Sequence, residues 1–83
     1  MIEEKVRNLI EGTVTDMGLV LDSVIYEKEG SNYFLRIVID SEKLLDVDTC
    51  VSVTRAIEPL LDKEDIISNS YILDVSTKEK GDK

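Results

Sequence analysis

The sequence predicts an α+β fold: a two-layer α-β-β-α-β domain in which a three-stranded sheet carries two helices on one face. Three observations predict it. The run Tyr33-Phe34-Leu35-Arg36-Ile37-Val38-Ile39-Asp40 alternates, setting Tyr33, Leu35, Ile37 and Ile39 on one side of a pleated ribbon and Phe34, Arg36, Val38 and Asp40 on the other. The stretches on either side of this strand region, one ending near Met17 and the other starting near Val47, repeat apolar residues at helical spacing. Between two strand-like runs, Glu29-Gly30-Ser31-Asn32 is turn chemistry, so the first two strands form a hairpin.

In chain order, Ile2, Val6, Leu9, Ile10, Thr13 and Met17 form the apolar stripe of a first helix, with Glu3, Glu4, Arg7 and Glu11 opposite. Gly12 weakens that helix by about 1 kcal/mol relative to Ala, and Gly18 stands where a left-handed residue ends it. In the next strand Leu19 and Leu21 share an inward parity with Val24 and Tyr26 only if one residue is extra at Asp22-Ser23, which predicts a bulge there. After the hairpin and the central strand, Ser41-Glu42-Lys43 is a polar loop, and Asp46 is placed to cap a second helix. Val47, Cys50, Val51, Thr54, Ile57 and Leu61 are its expected apolar face, with Asp48, Ser52 and Arg55 toward solvent. Pro59 removes a donor and crowds the carbonyl of Arg55, so the helix is expected to kink or to restart there. A last strand, Tyr71 to Ser76, alternates Tyr71, Leu73 and Val75 against Ile72, Asp74 and Ser76. The crossover rule sets it parallel to the central strand and beside it. Residues 1–76 read as a single domain and 77–83 as a polar, mobile tail.

Composition narrows the function. The chain has 83 residues, 10 basic and 18 acidic side chains, a formal charge of -8, no His and one Cys. Its Lys and Arg residues are scattered singly, which disfavours a phosphate backbone as partner and favours basic partners or simple solubility. No apolar run reaches membrane-spanning length, and Met1-Ile2-Glu3-Glu4-Lys5 is acidic where a signal peptide is basic. The expectation is a cytoplasmic protein with no membrane partner. Cys50 has no second Cys or His with which to build a disulfide, zinc site or thiol relay, and reads as a small core residue. Asp40, Glu42, Asp46 and Asp48 lack the turn glycine and closing acid of a calcium loop. Nothing assembles a nucleophile with a base, and no Gly-rich phosphate loop is present, so the reading is non-enzymatic, with no cofactor and no metal.

The candidate sites are therefore binding surfaces. On the sheet face that no helix covers, Ile25, Phe34, Val38 and Ile72 should stand beside Arg36 and Asp74. Such an apolar patch rimmed by charge fits a docking partner and weak self-association. Arg36 reads equally as a partner-binding guanidinium or as the partner of Asp74 or Glu27 on neighbouring strands. Arg55 has the same two readings, with Asp48 and Ser52 as local partners. Asp46 and Asp48, with Asp62 and Asp65 at the other end of the second helix, are candidate hooks for a basic partner, although such charged turns are more often only solvated.

The order of elements is also the skeleton of one class of KH domain, but the backbone-clamping GXXG loop is missing between Cys50 and Ser70. A more specific likeness lies in an ordered set of segments. These are Gly18-Leu19, Tyr26-Glu27-Lys28-Glu29-Gly30, Leu35-Arg36-Ile37-Val38-Ile39-Asp40, Asp46-Val47-Asp48-Thr49-Cys50, Thr54-Arg55-Ala56-Ile57-Glu58-Pro59-Leu60-Leu61-Asp62 and Tyr71-Ile72-Leu73-Asp74-Val75-Ser76. Together they resemble the N-terminal domain of the ribosome maturation factor RimP. The resemblance implies a non-enzymatic bacterial assembly-factor domain that associates with the small (30S) ribosomal subunit during its maturation. Its expected partners there are a basic ribosomal protein and ribosomal RNA. In that family a Ser-Ser-Pro-Gly linker leads to a second, SH3-like domain, whereas this sequence reads Ser76-Thr77-Lys78-Glu79-Lys80 and stops at Lys83. The expectation is a fragment or a single-domain relative, to which nothing assigned to the second domain transfers. The alternatives are a KH-like RNA-binding module and a divergent single-domain protein-interaction module.

Overall fold

The computed structural model describes residues 2–41 and 47–78. Its elements are α1 (Ile2–Asp16), β1 (Val20–Glu29), β2 (Asn32–Asp40), α2 (Val47–Glu64) and β3 (Ile72–Thr77), the α-β-β-α-β order the sequence predicts. The sheet order is β1-β2-β3, antiparallel between β1 and β2 and parallel between β2 and β3.

Local chemistry explains each junction. Gly18, at φ +80°, ends α1. The Gly18 N–H donates to Thr15 O at 2.9 Å and the Leu19 N–H to Val14 O at 3.2 Å, the paired bonds of a Schellman cap that satisfy two end carbonyls. The register of β1 on β2 shifts between Leu21 and Ser23. Asp22 is thus the extra residue, and the change of parity comes where the sequence placed it. Glu29 pairs with Asn32, which leaves Gly30 and Ser31 as a two-residue turn. Gly30, at φ +63°, is the first of them, a position where a hairpin turn of this hand asks for glycine. At the end of α2, Asp65 adopts φ +49° and its N–H donates to Leu61 O at 3.0 Å. This single-bond left-handed cap is made by a residue type that tolerates that conformation.

Val6, Ile10 and Val14 of α1 and Val53, Ile57 and Leu61 of α2 enclose Leu21, Leu35, Ile37 and Ile39 of the sheet, with Leu19 and Ile67 completing the core. The inward set of β2 is as expected, except that Tyr33 is only half-buried. It lies at the hairpin end and stacks on Tyr26, ring centroids 5.6 Å apart.

The helix faces depart from expectation in part. In α1 Ile2, Val6, Leu9 and Ile10 pack as expected, but the buried positions run on four apart to Val14, while Thr13 is half-buried and Met17, beyond the last turn, is exposed. In α2 the core takes Val53 and leaves Val51 43% exposed, with Cys50 and Thr54 half-buried. Cys50 thus lines the edge of the core rather than filling it. Pro59 does not restart the helix, which runs unbroken to Glu64. Pro59 and Arg55 lie on the exposed side, where water can take the carbonyl that the proline leaves without a donor. The last strand is displaced by one residue and includes Thr77, and the Lys78 N–H donates to Ile39 O at 2.8 Å. Thr77 and Lys78 therefore continue the sheet instead of opening the tail. The cap expected of Asp46 lies outside the described residues.

Candidate functional site

Register fixes the open face row by row. Glu27, Phe34 and Ile72 are opposite one another across the three strands, then Ile25, Arg36 and Asp74, then Ser23, Val38 and Ser76. These side chains alternate with the buried set, and with both helices packed on that other side none of the described elements covers them. Ile25 is 39% and Ile72 48% exposed, while Phe34 and Val38 are half-buried among their neighbours. The predicted residues Phe34, Arg36, Val38 and Ile72 thus share one surface.

The sequence left Arg36 two readings, and the geometry supports ion pairing within the sheet. Its guanidinium pairs with Glu27, with Glu29 at 3.0 Å and with Asp74 at 3.7 Å, and it lies 5.0 Å from the centre of the Phe34 ring, within cation–π range. The hydrogen bond to Glu29, assisted by the charges of Glu29, Glu27 and Asp74, outweighs desolvation and holds its pKa above the ordinary arginine value. At the other end of the face, Lys78 Nζ lies 3.3 Å from Asp22. The Asp22 carboxylate also accepts from Ser23 Oγ at 2.8 Å. The Ser23 hydroxyl first, and Lys78 second, hold the Asp22 pKa below the usual carboxylate value. Glu29, Asp22 and Lys78 were not among the predicted residues. The alternating strand pattern carries Glu29 to this face, but Asp22 arrives only through the bulge.

The remaining candidates lie elsewhere. Asp48, Arg55, Asp62 and Asp65 are exposed on α2 and at its end, and Asp46 lies outside the described residues. Arg55 has no ion pair among the described residues, so the expected contact with Asp48 is not made. Arg55 instead lines a groove between α2 and β3 with Cys50, Val51, Glu58, Leu73 and Val75. The groove continues past Glu58 to Asp62, Asp65 and Tyr71. Desolvation first, then the charges of Asp62, Glu58 and Asp65, push the Tyr71 hydroxyl pKa up. Glu58 and Tyr71 were not among the predicted site residues, although Glu58 and Asp62 fall at i and i+4 on one helix face, with Asp65 at the cap that follows. No cluster of three or more His, Cys, Asp or Glu fit to hold a metal occurs among the described residues.

A mixed three-stranded sheet with two helices on one side places the chain in the class of small two-layer α+β domains. Within that class, the family model described as the RimP N-terminal domain matches residues 9–78. The chain belongs to that family, one of ribosome maturation factors.

Proposed function

We propose that the chain is a non-enzymatic assembly-factor domain that associates with the small (30S) ribosomal subunit of bacteria while that subunit matures in the cytoplasm. The family match over residues 9–78 carries the reading. Charge supports it: at -8 the domain is matched to basic ribosomal proteins rather than to bare RNA, and Arg36, the cation at the centre of the sheet face, is already paired with three acids. None of the described helices is long and apolar enough to cross a membrane.

Co-sedimentation with purified small and large subunits over a salt series tests it. The domain should pellet with the small subunit and be released as salt rises, because attraction between exposed charges is screened. Equal partition between the two subunits, or none with either, refutes the reading. Tight binding to protein-free ribosomal RNA would instead favour a KH-like RNA-binding module.

A further inference from the structure

The two edges of the sheet are finished differently. Along β1, the Tyr26 N–H donates to Glu3 Oε2 at 3.0 Å, and Arg7 donates to Leu21 O at 3.3 Å and to Asp22 O at 2.9 Å. Helix α1 thereby occupies edge groups, those of the bulge included, that would otherwise invite another strand. Along β3 nothing comparable occurs among the described residues. The bond from the Lys78 N–H to Ile39 O fixes the phase of β3. Backbone groups alternate in direction along a strand, so Ile72, Asp74 and Ser76 face β2, while the N–H and C=O of Leu73, Val75 and Thr77 point away from it.

The layers differ in width in the same direction. Three strands about 4.8 Å apart span about 14 Å, whereas two helices, each about 10 Å across, span about 18–20 Å. The helix layer exceeds the sheet by about one strand. With α1 fastened to the β1 edge, the excess lies beyond β3, where α2 forms a groove with that strand and holds Val51 43% exposed. Glu58, Asp62 and Asp65 make the groove acidic, against one lining cation among the described residues, Arg55.

We propose that β3 takes a fourth strand: an extended, lysine- or arginine-bearing segment of a partner protein that bonds to the outward backbone groups of Leu73, Val75 and Thr77 beneath α2. Its apolar residues pack on Val51 and Cys50, and its basic residues meet Glu58, Asp62 and Asp65. Backbone bonds supply the docking and alternate side chains the selectivity, as in other strand additions. A second copy of this chain is a poor occupant, since it brings the same net charge of -8.

The test is amide hydrogen exchange and NMR of the isotopically labelled chain, with the eight-residue peptide Ser-Val-Ser-Val-Ser-Lys-Ser-Lys as the probe, whose valines and lysines share one face of an extended strand. Exchange should slow at least about tenfold at Leu73, Val75 and Thr77 on saturation. It should change little at Ile72, Asp74 and Ser76, which already bond to β2. Glu58→Gln and Asp62→Asn should each weaken binding about two- to fivefold. Val75→Pro removes an outward donor and should abolish binding; should that variant not fold, Thr77→Pro at an exposed position serves instead. The proposal is overturned if those three amides stay unprotected at millimolar peptide, or if the proline variant binds normally. It is also overturned if a lysine–proline peptide of equal charge binds as well, or if the changes fall on Ile25, Phe34 and Val38. None of this depends on the ribosomal reading. A chain that pellets with the small subunit yet leaves this edge unprotected retains that reading and loses this one.

Discussion

Leu35 and Phe34 are neighbours on β2 with opposite fates, and the assignment of the two sheet faces rests on them. Leu35 is fully buried between the helices, so Leu35→Ala loses the transfer energy of the side chain and leaves a cavity that the surrounding core closes only in part. That costs about 2–5 kcal/mol. A domain of this length has about 4–12 kcal/mol in total, so the variant should be marginal, with a Tm about 12–24 °C lower for a loss of about 3 kcal/mol. Phe34 is half-buried on the open face. Phe34→Ser forfeits about 1–1.5 kcal/mol of apolar burial and about 0.5 kcal/mol of its contact with Arg36, roughly half the cost of its neighbour. Urea melts read both changes, and equal slopes would show that the unfolding transition itself is unaltered. Sedimentation should show that Phe34→Ser also reduces self-association, because it removes the aromatic anchor of the exposed patch. Equal destabilisation by the two substitutions would mean that the faces are reversed and the supposed partner surface is core.

Gly12 is exposed in α1, and a Cβ added there meets nothing within 4 Å, so Gly12→Ala should raise stability by about 1 kcal/mol in a denaturant melt. The Tyr26 hydroxyl is buried with no partner among the described residues; Tyr26→Phe should therefore be neutral or stabilising by up to about 1 kcal/mol. Because the folded Asp22 pKa is depressed, its contribution to stability is present above the ordinary carboxylate pKa and disappears as pH falls through the lowered folded value. An NMR titration should find that Ser23→Ala and Lys78→Gln each move that pKa upward. Neutralising the acids of α2 and its flanks together, as Asp46→Asn, Asp48→Asn, Asp62→Asn and Asp65→Gly, should weaken small-subunit association and flatten its salt dependence while the domain stays folded; an unchanged affinity removes them from the interface. Glycine suits position 65 because the backbone there is left-handed.

The strands were more legible in the sequence than the helix faces, for a geometric reason. With a period of two, Leu35, Ile37 and Ile39 admit only one inward side, and the bulge at Asp22 follows from the conflict between Leu21 and Val24. A helix offers a continuous circumference. Val51 and Val53 in α2 lie about 200° apart, and composition does not say which of them meets the sheet. Burial goes to Val53 because Ile57 and Leu61 lie on its side, while Val51 turns toward the space beyond β3. Pro59 left two outcomes open, a kink or a restart, and of these the restart does not occur, since α2 runs through it to Glu64. The candidate site divided similarly. Asp74 and Glu27 could be named as partners of Arg36 from alternation, which also carries Glu29 to this face, but the pair of Asp22 with Lys78 required the bulge and the full length of β3.

Arg36 also shapes what a partner of the open face would encounter. A free guanidinium at the centre of a sheet would draw phosphate or carboxylate. Here it is held by acids from both neighbouring strands, Glu27 and Glu29 on β1 and Asp74 on β3, and these add a negative rim to the apolar residues Ile25, Phe34 and Ile72. Displacing such a group costs more than any one exposed pair contributes, since the pairs share a donor and are lost together. The network therefore acts as a fixed part of the surface. A cationic protein segment can engage that rim without breaking it, whereas an anionic ligand must first compete with three carboxylates. Replacing Arg36 with Met would leave the acids without their cation, so affinity for a basic partner should rise even as stability falls. A fall in that affinity, measured on the folded variant by sedimentation with the small subunit, would make Arg36 itself a partner contact.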